Sequence, residues 1–190
     1  MNTKINLIFQ EMKQKYIEAL NSLDHKKFDQ ITGVIENIYG SCGRIFICGN
    51  GGSASISSHF SNDLVTYTKP KKQFNVIPLT VNISLMTTIS NDISYSEIFT
   101  EQLKIHGIDA GDALVAISSK GNSANVVRAV NYANEKGAAT IGLTGSTGGA
   151  LKDIARFCIV VNDSDYTIIE PVHSFICHSI AECLKVRFSL

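Results

Sequence analysis

Apolar positions recur at three- and four-residue spacing through the first forty residues, the period of a helix with one buried face. Ile5, Leu7, Ile8, Met12, Tyr16, Ile17 and Leu20 mark a first helix. Phe28, Ile31, Val34, Ile35 and Ile38 mark a second, from about Lys26 to Tyr39, with the joint at Leu23-Asp24-His25. From Arg44 the period changes. Short apolar runs appear at Ile45–Cys48, Val76–Leu79, Ala113–Ile117, Ala139–Leu143 and Phe157–Val161. Each has the length of a fully buried strand, and β-branched residues are frequent in them. Helical stretches lie between them near 54–67, 83–105, 122–136 and 148–155, and a last helix is predicted from about 171 to 187. This alternation predicts a parallel sheet with helices on both faces and right-handed crossovers. In such a sheet ligands bind at the carboxyl ends of the strands, so the loops that follow the strands are where chemistry belongs.

Composition narrows the setting. The 190 residues fit one domain with no repeat, low-complexity tract or linker. Seventeen basic and seventeen acidic side chains cancel, which gives no global electrostatic case for nucleic acid or a membrane surface. No apolar run approaches the roughly 20 residues of a membrane span, and the first twenty residues lack the apolar centre of a signal peptide. The five cysteines (Cys42, Cys48, Cys158, Cys177 and Cys183) are odd in number and form no CxxC pair. Buried free thiols in a reducing cytoplasm are the expectation. The basic stretch Thr66–Lys72 reads as a solvated connection.

Two loops have the chemistry of phosphate cradles. After the first strand comes Cys48-Gly49-Asn50-Gly51-Gly52-Ser53, then a helix. Its glycines bring backbone N–H groups close to a ligand, Ser53 can cap the helix, and a helix N-terminus favours an anion. It is neither a Walker A loop nor GxGxxG, and a tight turn that binds nothing is the alternative. After the third strand come Ser118-Ser119-Lys120-Gly121-Asn122-Ser123, again before a helix. Three hydroxyls and a lysine converge there, a set that holds phosphate without a metal; capping by Asn122 or Ser123 is the plainer reading. A third loop, Thr144–Gly149, reads mostly as a turn and cap.

His59 and Asp63 are four apart, one helical turn on one face. They suit either a shared divalent metal or an internal hydrogen bond. Near the C-terminus, Pro171 suits a first helical position, which places Glu170 at the helix entrance. Thr167 with Glu170 as a capping box is the structural alternative. Glu170 and His178 are eight residues apart, about 12 Å of helix rise, so they meet only if Glu170 precedes the helix and folds back. His173 reads as a packing or interface residue.

The motifs CGNGGSxxxxxHF from Cys48, Asn91-Asp92, SxxGNS from Ser118 and LTGxxGG from Leu143 resemble the sugar isomerase (SIS) domain family, and within it the phosphoheptose isomerases. The resemblance spans nearly the whole chain. It implies a flavodoxin-like α/β/α sandwich with a five-stranded parallel sheet, a single domain over 1–190, and a homotetramer with active sites at subunit interfaces. Residues 1–40 would serve in oligomer packing. It implies zinc held by His59, Asp63, Glu170 and His178, with Asp63 as base and His178 as acid. Asn50, Gly51, Gly52, Ser53, Asn91 and Asp92 would bind the sugar, with Asp63 and Glu170. Ser53, Ser118, Ser119, Lys120 and Ser123 would hold its phosphate.

The chain departs from that pattern within the functional set. The family has glutamate at Asp63, glutamine at Glu170, usually serine at Lys120, and arginine at Ile168. Aspartate withdraws the carboxylate by about 1.5 Å, and a misplacement of about 1 Å can cost roughly a hundredfold in rate. All four metal positions still carry zinc-ligating groups. The implied activity is ketose–aldose isomerisation of a sugar phosphate such as sedoheptulose 7-phosphate, through an enediol. A non-catalytic member that binds a protein such as the replication initiator is the alternative, which Lys120 favours and Asp63 and His178 oppose.

Overall fold

Strand residues of alternate parity feed two separate cores. The structure, a computed structural model, describes residues 2–189. Helix α1 spans Asn2–Asn21 and α2 His25–Gly40, followed by β1 Arg44–Gly49 and α3 Gly52–Asn62. Strand β2 is Asn75–Pro78; α4 is Ile83–Asp92, α5 Ile98–His106 and β3 Ala113–Ser118. Then come α6 Ala124–Glu135, β4 Ala139–Gly145, α7 Gly149–Ile154, β5 Phe157–Val161 and α8 Tyr166–Ser189. All five strands are parallel, in the order β2-β1-β3-β4-β5. Ile45, Ile47, Val115 and Ile117 pack on one face with Ile31, Ile35, Phe60, Ile176 and Leu184, from α2, α3 and α8. Phe46, Cys48, Leu114 and Ala116 pack on the other with Ile89, Phe99, Val126 and Leu151, from α4, α5, α6 and α7. This is the three-layer α/β/α sandwich expected, because a strand buried on both faces sends its side chains alternately to two helical layers.

The order of the strands reverses direction between β1 and β3. Crossovers from these neighbours leave toward opposite sides, so the loops after them diverge and open a crevice. Those loops are the two candidate cradles.

The strands fall within two residues of expectation, whereas the helices differ in three places. The stretch 83–105 is not one helix: Ser94 is extended, with φ −174° and ψ 157°, and a short 3-10 turn at Tyr95–Glu97 precedes α5. Segment 54–67 is α-helical only to Asn62, and Asp63–Tyr67 is a π-helical turn closed by Thr68 N–H to the Asp63 carbonyl. The last helix starts at Tyr166, five residues before the proline expected to open it. Asp165 explains the early start. Its carboxylate accepts from the Thr167 amide at 2.9 Å and the Thr167 hydroxyl at 2.8 Å, and its carbonyl from the amides of Ile168 and Ile169. These bonds hold the Asp165 carboxyl below the usual range. No Thr167–Glu170 capping box forms.

Pro171 then lies inside the helix, where it cannot donate to the Thr167 carbonyl; an interior proline costs about 3 kcal/mol. The Tyr16 hydroxyl, from α1, donates to that carbonyl instead, at 2.5 Å. The orphan left by the proline thus becomes the tie between α1 and α8. Elsewhere α1 leaves Ile5, Leu7, Ile8, Phe9, Met12 and Ile17 exposed. The cysteines are all free thiols; Cys48, Cys158 and Cys177 are buried, Cys183 is half-buried, and Cys42 is exposed, against expectation. Burial pushes the Cys48 thiol up to about 12 and the Cys158 thiol to about 11, which leaves both protonated and inert.

His173 is fully buried. Its Nε2 lies 3.1 Å from the Thr144 carbonyl and donates to it, while Nδ1 has no partner. Burial lowers its pKa from 6.5 to about 4, against the opposing pull of the carbonyl. The ring is therefore neutral in the folded chain, while the unfolded chain protonates it near 6.5. Stability from this group is complete above about 6.5 and falls away as pH drops toward 4. Between pH 7 and pH 4 the native protein should lose on the order of 3 kcal/mol more than His173→Gln. Urea unfolding at several pH values checks this; parallel curves for the two proteins would refute it.

Candidate functional site

The crevice between the two loops is locked by a pair of amides. Asn50 Nδ2 donates to Asn125 Oδ1 at 2.8 Å, and Asn125 Nδ2 returns a bond to Asn50 Oδ1 at 2.9 Å. The Tyr95 hydroxyl adds a third bond to Asn50 Oδ1, also at 2.9 Å. Asn125 is buried and its Oδ1 also takes the Val126 amide. Asn50, expected to meet sugar hydroxyls, is thus engaged in joining the β1 loop to the first turn of α6.

Below this lock lies a cavity of about 230 Å³, lined by Asn50, Ser53, Ser118, Ser119, Lys120, Ser123, Tyr166 and Glu170. Gly51, at φ +55°, is the cap position of α3 and forms no side-chain cap bond. Ser53 is therefore not the cap; it is buried in the first turn. Ser123 is the cap position of α6, yet its hydroxyl caps nothing and lies 3.3 Å from the Ser118 hydroxyl. Asn122 accepts from the Ala150 amide and braces α7. The Ser123 hydroxyl therefore does not cap α6; it pairs with the Ser118 hydroxyl at the cavity wall. The third loop is the turn expected: the Thr144 hydroxyl donates to the Gly148 carbonyl, and Gly148 at φ +93° opens α7.

His59, Asp63 and His178 meet further along the α3–α8 contact. Ligand atoms of the three lie within 4.8 Å of one another. Asp63 Oδ2 is 3.0 Å from His178 Nδ1 and 3.6 Å from His59 Nε2, and the two rings stand 4.9 Å apart. Despite these short distances Oδ2 is buried without a hydrogen bond. The internal hydrogen bond weighed for His59 and Asp63 is thus absent. Two ring nitrogens and a carboxylate oxygen converge without a proton aligned between them, which is the donor arrangement of a metal site. These residues fit a divalent metal. The expected fourth ligand, Glu170, is not among them. It lies within α8, eight residues from His178, and its Oε1 is 3.5 Å from the Ser119 hydroxyl. The early start of α8 removes the fold-back that convergence required.

Asn91 and Asp92 are exposed at the end of α4 and bonded to each other at 2.8 Å; neither lines the cavity. Several residues of the site gave no local signal. Asn125 and Tyr95 act through distant partners. Ser174 shares the α8 face of Glu170 and His178 and lines a groove with Gly52 and Ile56. Tyr67 and Glu182, hydrogen-bonded to each other, flank the triad.

Residues 9–145 match the family profile described as the SIS domain. The chain is 37% identical over 174 residues to a probable phosphoheptose isomerase of Thermoplasma volcanium, which covers 89% of this chain and 88% of that protein. It is 32% identical over 184 residues to the phosphoheptose isomerase of Helicobacter pylori, with 96% and 93% covered. A solved phosphoheptose isomerase from Neisseria gonorrhoeae superposes with a TM-score of 0.87 at 30% identity, over 96% of this chain and 97% of that one.

The amide lock has a measurable consequence. Asn125→Ala leaves Asn50 with two unmade bonds and should cost about 1–2 kcal/mol. Hydrogen exchange at the amides of residues 49–53 should quicken more than in the sheet. An unchanged exchange pattern with unchanged stability would show that the lock is dispensable.

Proposed function

This chain belongs to the SIS domain family, and from that premise we propose that it is a phosphoheptose isomerase, a zinc-dependent ketose–aldose isomerase acting on sedoheptulose 7-phosphate. The observation that carries the reading is a spacing. The hydroxyl-lined cavity and the His59–Asp63–His178 triad lie at two stations along α3 and α8. Six residues separate Ser53 from His59 and eight separate Glu170 from His178, about 9 and 12 Å of helix rise. An extended seven-carbon sugar phosphate spans roughly 10 Å from phosphorus to C1. Phosphate at the Ser118–Ser123 loop therefore brings C1 and C2 to the triad, whereas a triose phosphate falls short.

The chemistry follows from the groups there. Asp63 takes the C1 proton of the ketose while His178 gives a proton to the C2 oxygen, which forms the enediol. Removal of the O1 proton and return of a proton to C2 complete the aldose. His59, Asp63 and His178 would hold the metal as three protein ligands, the number typical of catalytic zinc. Zinc bound there supplies Lewis-acid polarisation of the carbonyl oxygen. Ser118, Ser119, Ser123 and Lys120 hold the remote phosphate, and that binding energy orients the reacting end. The reading includes a cytoplasmic homotetramer, with α1 in the packing between copies. Its support is the exposed apolar row of α1; among the described residues no helix is long and apolar enough to cross a membrane. The partner-binding alternative gains no support from a buried carboxylate aimed at two imidazoles.

Incubation with sedoheptulose 7-phosphate, followed by NMR for the aldose, tests the proposal. Asp63→Asn should fold and lose at least about a hundredfold in turnover; near-normal turnover would sink the assignment. Protein purified without chelator should contain zinc, lose activity on chelation and regain it with zinc; metal-free protein indifferent to zinc would remove the metal from the mechanism. Replacement of both Ser118 and Ser123 by alanine should weaken sugar phosphates at least tenfold more than free sugars. Equal weakening would make the loop structural.

A further inference from the structure

Tyr67 and Glu182 stand one turn beyond the triad, on the two helical segments that carry it. The segments run side by side in the same order. Gly52 lies against the Glu170 carboxylate, Asp63 meets His178, and the Tyr67 hydroxyl donates to Glu182 Oε2. Four residues separate Tyr67 from Asp63 and Glu182 from His178, roughly one helical turn in each case. Helical side chains lean toward the N-terminus of their helix, so Tyr67 and Glu182 lean back toward the triad. Asp63, His178, Tyr67 and Glu182 all line one cavity of about 430 Å³. Lys185 steadies the outer pair: its Nζ lies 4.1 Å from the centre of the Tyr67 ring and 3.6 Å from Glu182 Oε2. A hydroxyl bonded to a carboxylate at the wall of such a cavity can accept a proton and pass its own onward.

We infer that Tyr67, backed by Glu182, is a further catalytic residue, which takes the O1 proton of the enediol. The inference rests on the isomerase reading and assigns the O1 proton, for which that reading names no acceptor. Ketose-to-aldose conversion breaks an O1–H bond as well as a C1–H bond. Asp63 carries the carbon proton from C1 to C2, and His178 gives a proton to O2. O1 is on the terminal carbon, the one farthest from the phosphate. With phosphate at the Ser118–Ser123 loop and C1 at the triad, O1 is therefore the ligand oxygen nearest the outer pair. The O1–H bond breaks as Tyr67 Oη accepts the proton, and the Tyr67 proton passes to Glu182 Oε2. The electron pair left on O1 forms the C1=O bond, while the C1=C2 pair takes the proton from Asp63 at C2. Glu182 and His178 are both about half exposed. Solvent water resets them, taking one proton from Glu182 and returning one to His178.

NMR in D2O separates the two halves of the reaction on sedoheptulose 7-phosphate. Solvent deuterium enters C1 of recovered ketose once the C1–H bond has broken, whereas aldose forms only if O1 also loses its proton. Tyr67→Phe should slow aldose formation at least about tenfold while C1 exchange stays within about threefold of native. Glu182→Gln still accepts from the Tyr67 hydroxyl but takes no proton at neutral pH, and should show the same split. Asp63→Asn should lose exchange and aldose alike. Equal loss of exchange and aldose in Tyr67→Phe and Glu182→Gln would make the pair structural. Loss of neither would return the O1 proton to His178. Both results overturn the inference and leave the isomerase reading standing. A native protein that neither exchanges C1 nor forms aldose overturns both.

Discussion

The seating of α8 across the carboxyl edge of the sheet governs the site, since one face of it carries Glu170, Ser174 and His178. Three kinds of contact fix it. Ile169, Val172, Ile176, Ile180 and Leu184 bury an apolar stripe in the core shared with α2 and the sheet. His173 donates to the carbonyl of Thr144 at the end of β4, and Tyr16 takes up the carbonyl freed by Pro171. The apolar stripe sets rotation about the helix axis. The two hydrogen bonds set position along it, because each is tied to one backbone carbonyl. A slip of one turn would move Glu170 off Gly52 and His178 off Asp63 together, so the cavity and the triad are not independent features.

The aspartate at position 63 is less costly than its length suggests. A carboxylate withdrawn by about 1.5 Å relative to glutamate still brings Oδ2 to 3.0 Å from His178. The helix changes pitch at that residue: the π-helical turn Asp63–Tyr67 begins there. Such turns widen the backbone and often accompany functional groups. The shorter side chain and the wider turn are found together, and the contact with both imidazoles is kept.

Local pattern made the sheet legible. Five apolar runs became five strands because residues buried on both faces need no partner information to declare themselves. The places of the two candidate loops were legible for a similar reason, since glycine and hydroxyl residues between a strand and a helix are a local signature. What the sequence concealed depends on remote contacts. The start of α8 hinges on Asp165 and on a tyrosine 151 residues away from the carbonyl that it satisfies, so Pro171 was taken for a helix start. The fold-back that would bring Glu170 to His178 needs a helix beginning at Pro171, whereas α8 begins at Tyr166. Asn125, an ordinary residue in the first turn of α6, acquires its role only through Asn50, 75 residues earlier.

The energetics of Asp63 argue that the triad is more than packing. Its side chain is 9% exposed, and Oδ2 has no hydrogen bond. An unsatisfied buried acceptor costs about 1–3 kcal/mol, and more when charged. Native stabilities of about 5–15 kcal/mol leave little room for such a cost without return. Asn or Gln in a buried position can satisfy donors on both sides, and a leucine would avoid the cost altogether, so stability by itself does not favour a carboxylate facing two imidazoles. The flanking rings are about half exposed, whereas the carboxylate between them is buried. A buried carboxylate without a hydrogen bond, beside two half-exposed imidazoles, is poorly suited to holding a core together and well suited to binding a cation. The tie between α1 and α8 and the pitch change at Asp63 act on the same contact, that of α8 with the segment that carries His59 and Asp63.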